Sequence, residues 1–426
     1  MRCMSRLFQT SRMKIFFRNI HLYLSLAAGL VIFCSCLTGT ILVFEKEINH
    51  LLYPQRYFVE AKGERLPLSA LAQNALKQSP KAKLSSIMVY NEPERAVEIN
   101  ITLPDNKGQK GKSSNDGKET AKQLKAKDND KSKKPGQGKK PSLTIYVNPY
   151  TGDVLGQFNK RKSFLNTVEM LHRFLLAGKD SFGNKIVGIS TVIFLFILIT
   201  GVILWWPKTL NIMRQRMKIK WGGSTKRLTH DLHIVFGFYT SVFLIVIVLT
   251  GLIMSFDWAN KALYAITASE PSKDLEPPKS KYAAGLRSLP SDQALQAVAV
   301  PLKTAAYFTL RVPGDSAGIY TINIQPRGSA ENTGDTYYID QYSGKQLGVS
   351  SYQSKSFGQR VRALVKPVHT GSVFGLPTKI LSFIVCLLSL IFPVTGVMMW
   401  LDRIKKKDKK VRKRRPLPVD KIVLAH

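Results

Sequence analysis

Seven histidines occur in the chain, and four of them stand at matching places in its two halves. His21 precedes the dipeptide Thr38-Gly39 by seventeen residues, and His233 precedes Thr250-Gly251 by seventeen. His172 lies upstream of Thr200-Gly201-Val202 and Trp205, as His369 lies upstream of Thr395-Gly396-Val397 and Trp400. Imidazole is the commonest metal ligand among side chains, so two repeated pairs point to metal or cofactor ligation. A single such histidine would read as a polar tip at a membrane boundary. Two symmetric pairs need a stronger reason. His230, one helical turn before His233, is the alternative ligand to it, or else a hydrogen-bonding partner behind it. His50 and His426 have no counterpart in the repeat and are expected to be solvated.

The elements that position these residues are apolar runs. Four stretches, 22–44, 186–206, 232–256 and 380–401, contain no Asp, Glu, Lys or Arg. About 20 apolar residues suffice to cross a hydrocarbon core of about 30 Å, so each is expected to span a membrane. The first is too long for a signal-peptide core and lacks a small-residue cleavage site before Glu45, which makes it a retained anchor. The segments between and beyond the runs fix the orientation. Residues 1–21, the 207–231 loop and the 402–426 tail are rich in Lys and Arg, and in a four-span chain all three share one side. The positive-inside bias makes that side cytoplasmic, with both termini inside and the two long loops outside. Trp205, Trp206 and Trp400 fit an interfacial aromatic belt.

The net charge of +35 is striking only until it is located. A chain with 44% hydrophobic residues segregates its charge into the short basic segments and a Lys-rich insert. Nucleic acid is therefore not the expected partner; the lipid bilayer is.

The external loops repeat as well. Tyr146-Val147-Asn148-Pro149-Tyr150-Thr151-Gly152 echoes Tyr338-Ile339-Asp340-Gln341-Tyr342-Ser343-Gly344. Residues 45–162 read as a helix near 68–78 followed by strands near 84–90, 96–103 and 143–148. Residues 257–368 read as a helix near 291–300 and strands near 307–312, 319–325 and 336–340. The insert 105–141 is polar and charged enough to be a disordered excursion. Segments 163–185 and 369–379 are expected to be interfacial, because His172 to Thr200 would be about 42 Å of unbroken helix. Gly178 and Gly183 are expected to mark the break. The expected fold is thus an α-helical membrane protein with four transmembrane helices and two extracytoplasmic α+β domains, arranged as an internal tandem duplication.

Two imidazoles facing each other across a bundle suit the two axial positions of a b-type haem. Ala27, Ala28 and Gly29 after His21, and Gly237 after His233, would let a flat ring approach the helices. Zinc is less apt, because neither pair has a third or fourth Cys, Asp or Glu beside it. Cys34, Cys36 and Cys386 fall within spans, Cys3 precedes them, and no C-x-x-C-H motif allows covalent haem attachment.

The His21–Thr38-Gly39 unit, the Asp231-Leu232-His233 start of span three, and the Thr-Gly-Val-x-x-Trp ends of spans two and four resemble the PepSY-associated transmembrane-helix family. The external regions resemble PepSY domains. This resemblance implies an inner-membrane ferric-siderophore reductase, an oxidoreductase of iron uptake holding two non-covalent haem b groups. By position, His21 and His233 would ligate the cytoplasmic-side haem iron, and His172 and His369 the periplasmic-side one. An external electron donor, a quinol or flavoprotein, is implied, since no nucleotide-binding fingerprint is present. The competing expectation is a haem-free sensory or regulatory membrane protein that binds peptides or modulates a peptidase. A siderophore permease ranks last, because the spans carry few polar residues at mid-membrane.

Overall fold

The computed structural model describes residues 11–104, 141–271, 278–281 and 286–414. Most of the insert, His426 and Cys3 lie outside them. The chain begins with α1 (Ser11–Leu42), α2 (Glu45–Leu52), α3 (Pro54–Tyr57) and α4 (Leu68–Lys77). Four strands follow: β1 (Lys83–Tyr90), β2 (Val97–Thr102), β3 (Ser142–Val147) and β4 (Val154–Phe158). Helices α5 (Phe164–Phe174), α6 (Phe182–Trp205) and α7 (Leu210–Arg216) complete the first half.

The second half runs in the same order. It contains α8 (Thr225–Ser255), α9 (Asp257–Ile266), α10 (Ser291–Gln296) and α11 (Ala299–Lys303). Strands β5 (Ala305–Arg311), β6 (Ile319–Pro326), β7 (Asp335–Asp340) and β8 (Gln346–Ser350) follow. The chain closes with α12 (Phe357–His369), α13 (Leu376–Ser389) and α14 (Ile391–Arg414).

Four apolar helical stretches are long enough to cross a membrane, namely Arg12–Leu42, Phe182–Trp205, Thr225–Ser255 and Leu376–Lys406. All but the second run well past their apolar runs on the basic side. In α1 the helix continues back through Met13, Ile15, Phe16 and Phe17, where nothing breaks it, so His21 sits in the third turn rather than at the start. The fourth crossing is not one rod: α13 stops at Ser389 and α14 restarts at Ile391. Pro393 explains this. It has no N–H to offer the Ser389 carbonyl, and its ring crowds that carbonyl.

The eight strands form one antiparallel sheet in the order β4-β3-β2-β1-β5-β6-β7-β8. The join is the β1–β5 ladder, in which Ser86 opposes Arg311 and Tyr90 opposes Tyr307. One face is the core, with Leu71, Ile87, Ile99, Ile145, Leu310, Ile322 and Ile339 fully buried. Helix α4 buries Leu71, Ala72 and Ala75 against it, and its orphan N–H groups at Leu68 and Ser69 are capped by Asp292 of α10 at 2.6 and 3.1 Å. A helix N-terminus favours such a carboxylate. Strands β4 and β8 were not expected. Both are five-residue edge strands containing a glycine, Gly156 or Gly348, so their β pattern is weak. Helix 291–300 divides into α10 and α11 at Ala297–Val298.

Candidate functional site: two histidine pairs between the halves

His21 on α1 faces His233 on α8, with ring centres 6.3 Å apart. His172 on α5 faces His369 on α12, with ring centres 6.4 Å apart. His21 and Thr38 both lie on α1, and Thr38 touches His172. Seventeen residues of helix therefore put the two pairs roughly 25 Å apart along the bundle. The His21 pair lies toward the basic segments, and the His172 pair lies under the sheet.

Each ring rests in a cradle made by a Thr-Gly dipeptide on a different helix. Nδ1 of His21 is 3.0 Å from Thr200 Oγ1, and Nδ1 of His172 is 3.1 Å from Thr38 Oγ1. Nδ1 of His233 is 2.8 Å from Thr395 Oγ1, and Nδ1 of His369 is 3.1 Å from Thr250 Oγ1. The glycine after each threonine leaves room for the ring edge. A Cβ there would stand 3.3 Å from His21 Cε1, 3.4 Å from His172 Cε1, 3.1 Å from His369 Cε1 and 3.9 Å from His233 Cε1.

The cradle also fixes the tautomer. Every threonine hydroxyl donates to the carbonyl four residues back, at 2.7–2.8 Å from Cys34, Phe196, Val246 and Ile391, so its lone pair is left to accept. Three rings reach a carbonyl as well: His21 to Ile197 at 3.1 Å, His172 to Ser35 at 2.9 Å and His369 to Ile247 at 2.9 Å. A carbonyl only accepts, so Nδ1 carries the proton and Nε2 keeps its lone pair. Among the described residues no Nε2 of the four makes a hydrogen bond. Metal-ligating histidines are held this way, by an Nδ1–H bond to a carbonyl or other acceptor.

The spacing tests what such a pair could hold. Imidazole–metal bonds of about 2 Å on either side of one ion would need the two rings to stand apart, and the observed 6.3 and 6.4 Å leave that room. Among the described residues no group of three or more His, Cys, Asp or Glu is placed to hold a metal. The donor set therefore fits a metal that brings its own equatorial ligands, as haem does.

Cradles lie within a half, whereas pairs join the halves. His21 (α1) uses Thr200 (α6), and His172 (α5) uses Thr38 (α1). His233 (α8) uses Thr395 (α14), and His369 (α12) uses Thr250 (α8). Neither half alone makes a facing pair.

The remaining expectations fare differently. His230 is half-exposed, 3.6 Å from its neighbour Asp231, and does not face His21; His233 does. Asp231 is buried and takes Arg227 Nε at 2.9 Å and the Lys220 N–H at 3.3 Å, which fastens the basic loop to α8. His50 is half-buried rather than fully solvated. It packs on Tyr57 and Phe58 with Nε2 3.4 Å from Arg95, and burial followed by the Arg95 charge holds its pKa down. Gly183 lies inside α6 rather than in the break. The break is the left-handed Leu175 and Leu176 together with Gly178. A Cβ on Gly183 would strike the Phe174 carbonyl at 2.0 Å, so that glycine lets α5 fold back on α6. A Cβ on Gly29 or Gly237 would meet nothing within 4 Å, so those helix faces are open. The threonines are what the sequence reading missed. Their repeat was visible, but their histidine partners are 119–179 residues away.

Fold and site together define a multi-pass membrane protein with two levels of paired, tautomer-locked histidines beneath an extramembrane sheet. The PepSY-associated TM region matches residues 18–403, and the chain belongs to that family. No curated protein matches it.

Proposed function

We propose that this chain is an inner-membrane electron-transfer protein that binds two haem b groups and reduces an Fe(III) chelate, such as a ferric siderophore, on the sheet side. The observation carrying this reading is the two facing, Nδ1-anchored imidazole couples, one at each level of the bundle. His21 and His233 hold the group toward the basic segments, and His172 and His369 hold the one under the sheet. When bound, haem supplies a one-electron Fe(III)/Fe(II) couple at each level. The threonines keep each Nε2 lone pair unprotonated and aimed, and the apolar spans keep water out. The basic segments, by the positive-inside bias, put the first level and both termini in the cytoplasm. A quinol or flavoprotein is the donor. One electron converts the chelated Fe(III) to Fe(II), which hard oxygen ligands hold less firmly. We read the like order of elements in the two halves as a tandem duplication, each copy carrying one PepSY-like unit.

The test is the absorption spectrum of detergent-purified protein from haem-replete cells, with and without dithionite. Reduced b-type bands at two haems per chain are expected, halved by His172→Ala or by His233→Ala and unchanged by His230→Ala. Colourless protein would reject the reading in favour of the haem-free sensory one.

A further inference from the structure

A cavity of about 560 Å³ opens where the end of α8 meets the sheet, lined by Met254, Tyr264, Lys355, Arg362 and Lys366 among others. Its size is that of a small-molecule site. No Asp or Glu lines it, and three cations do. Arg362 is anchored through Nε to Asn260 Oδ1 at 2.8 Å, while its Nη atoms make no hydrogen bond among the described residues. Lys355 lies over the Tyr352 ring at 5.7 Å. Of the carboxylates around the cavity, Asp335 takes the Tyr352 N–H and the Ser351 hydroxyl, and Glu331 is paired with Lys46. Burial works against its ionisation, but the Lys46 hydrogen bond and charge, with Lys366 and Lys379 beyond, hold its carboxyl below its usual range. Lys379 in turn pairs with Glu47 at 2.6 Å.

The placement adds a second argument. Gln359, Arg362 and Lys366 recur at helical spacing along one face of α12, and His369 follows Lys366 by one turn. The cations thus lead from the cavity to the sheet-side histidine pair along one helix.

We propose that this cavity is the docking site for the chelate and that it selects anionic complexes, those whose donor groups are carboxylates or catecholates, over cationic ones. The assignment rests on the reductase reading for its purpose but not for its test. Gallium(III)–citrate is a redox-inert anionic probe, so calorimetry with the full-length protein in zwitterionic nanodiscs reads binding without electron transfer. Lys355→Gln with Lys366→Gln should weaken binding by about tenfold or more, because charge-assisted contacts are lost. Added salt should narrow the difference, and haem content should stay at the wild-type level. Lys355→Glu with Lys366→Glu should instead favour the gallium complex of a trihydroxamate carrying a free amine, which is cationic.

Equal affinity of wild type and the double Gln variant for gallium–citrate overturns the proposal, as does wild-type preference for the cationic probe. Loss of gallium–citrate binding on adding phosphatidylglycerol to the nanodiscs assigns the cavity to a lipid headgroup, which also overturns it. Colourless protein that still binds gallium–citrate through Lys355 and Lys366 removes the reductase reading and keeps the site. Haem-replete protein that fails the charge test keeps the reductase reading and removes the site.

Discussion

The two histidine levels share one plan but differ in how firmly they are built. Under the sheet, His172 and His369 each hold two acceptors, a threonine hydroxyl and a backbone carbonyl. Toward the basic side His21 does the same, but His233 has Thr395 alone. The helix carrying the His233 cradle restarts only at Ile391, and the ring that packs beside His233 is Phe392, at 5.7 Å. The carriers differ too. The basic-side histidines ride on spanning helices, whereas the sheet-side ones close short amphipathic helices, α5 and α12, ahead of the next span. Near-symmetry of sequence thus coexists with unequal anchoring, and the inequality should be measurable.

The largest expected effect follows from that single anchor. Thr395→Val removes every acceptor His233 has, whereas Thr250→Val leaves His369 the Ile247 carbonyl. Removing an outer partner of a ligating histidine typically costs roughly 10–100-fold in metal affinity. Haem retention at the basic-side level should therefore fall by that order in Thr395→Val, and far less at the sheet-side level in Thr250→Val. The surviving basic-side midpoint potential should rise, since an imidazole without its acceptor is a poorer donor to Fe(III). Equal losses in the two variants, measured by haem titration and potentiometry, would break the comparison.

A smaller effect reverses the ranking of the levels. In the second half the sheet-side cradle is the tighter, with Gly251 allowing a Cβ only 3.1 Å from His369, against 3.9 Å for Gly396 and His233, whereas in the first half the two are alike at 3.4 and 3.3 Å. Gly251→Ala must push the ring and should destabilise the sheet-side pair, in the range of about 1–3 kcal/mol that overpacking costs. Gly396→Ala meets ordinary van der Waals contact and should leave haem content and thermal midpoint near wild type. The two variants together separate tight packing from hydrogen bonding as the source of anchorage.

Much of this was legible in the residues, for reasons that also mark the limits. Uncharged runs of about 20 residues announce spans whatever the fold, and the repeat of His and Thr-Gly singled out the four ligands without any geometry. The positions of the threonines were equally plain, yet their partners were not, because each contact crosses from one helix to another over 119 residues or more. Spacing along a helix relates His21 to Thr38, but the bundle sets His21 against Thr200. The joining of the two strand groups was hidden for the same reason. The β1–β5 ladder pairs Ser86 with Arg311, and no local pattern distinguishes that edge from a free one. The partial burial of His50 was missed because its neighbours, Tyr57, Phe58 and Arg95, come together only through the loop that brings Phe58 to Arg95.

The same near-symmetry recurs in the sheet, where it supports the smallest prediction. The turns joining β3 to β4 and β7 to β8 are alike. Asn148 Oδ1 accepts the Tyr150 N–H at 2.9 Å, and Asp340 Oδ1 accepts those of Tyr342 and Ser343 at 2.9 and 2.8 Å. Gly152 and Gly344 both take positive φ, 77° and 72°, a conformation that glycine adopts without strain. The anchoring side chain is a neutral amide in one turn and a carboxylate in the other. Burial opposes ionisation of Asp340, but the Ser343 and Tyr342 N–H groups and the Ser280 and Ser343 hydroxyls hold its pKa below the ordinary value of 3.8. A lowered folded pKa means stability fully present above that ordinary value and lost as pH falls through the folded one. Asp340→Asn keeps an accepting side-chain oxygen, as Asn148 does, and removes the titration. The variant should be modestly less stable than wild type at neutral pH, and the difference should close as pH falls below about 4. A variant equal to wild type at neutral pH would show that the turn geometry the two halves share, and not the charge, holds β7 to β8.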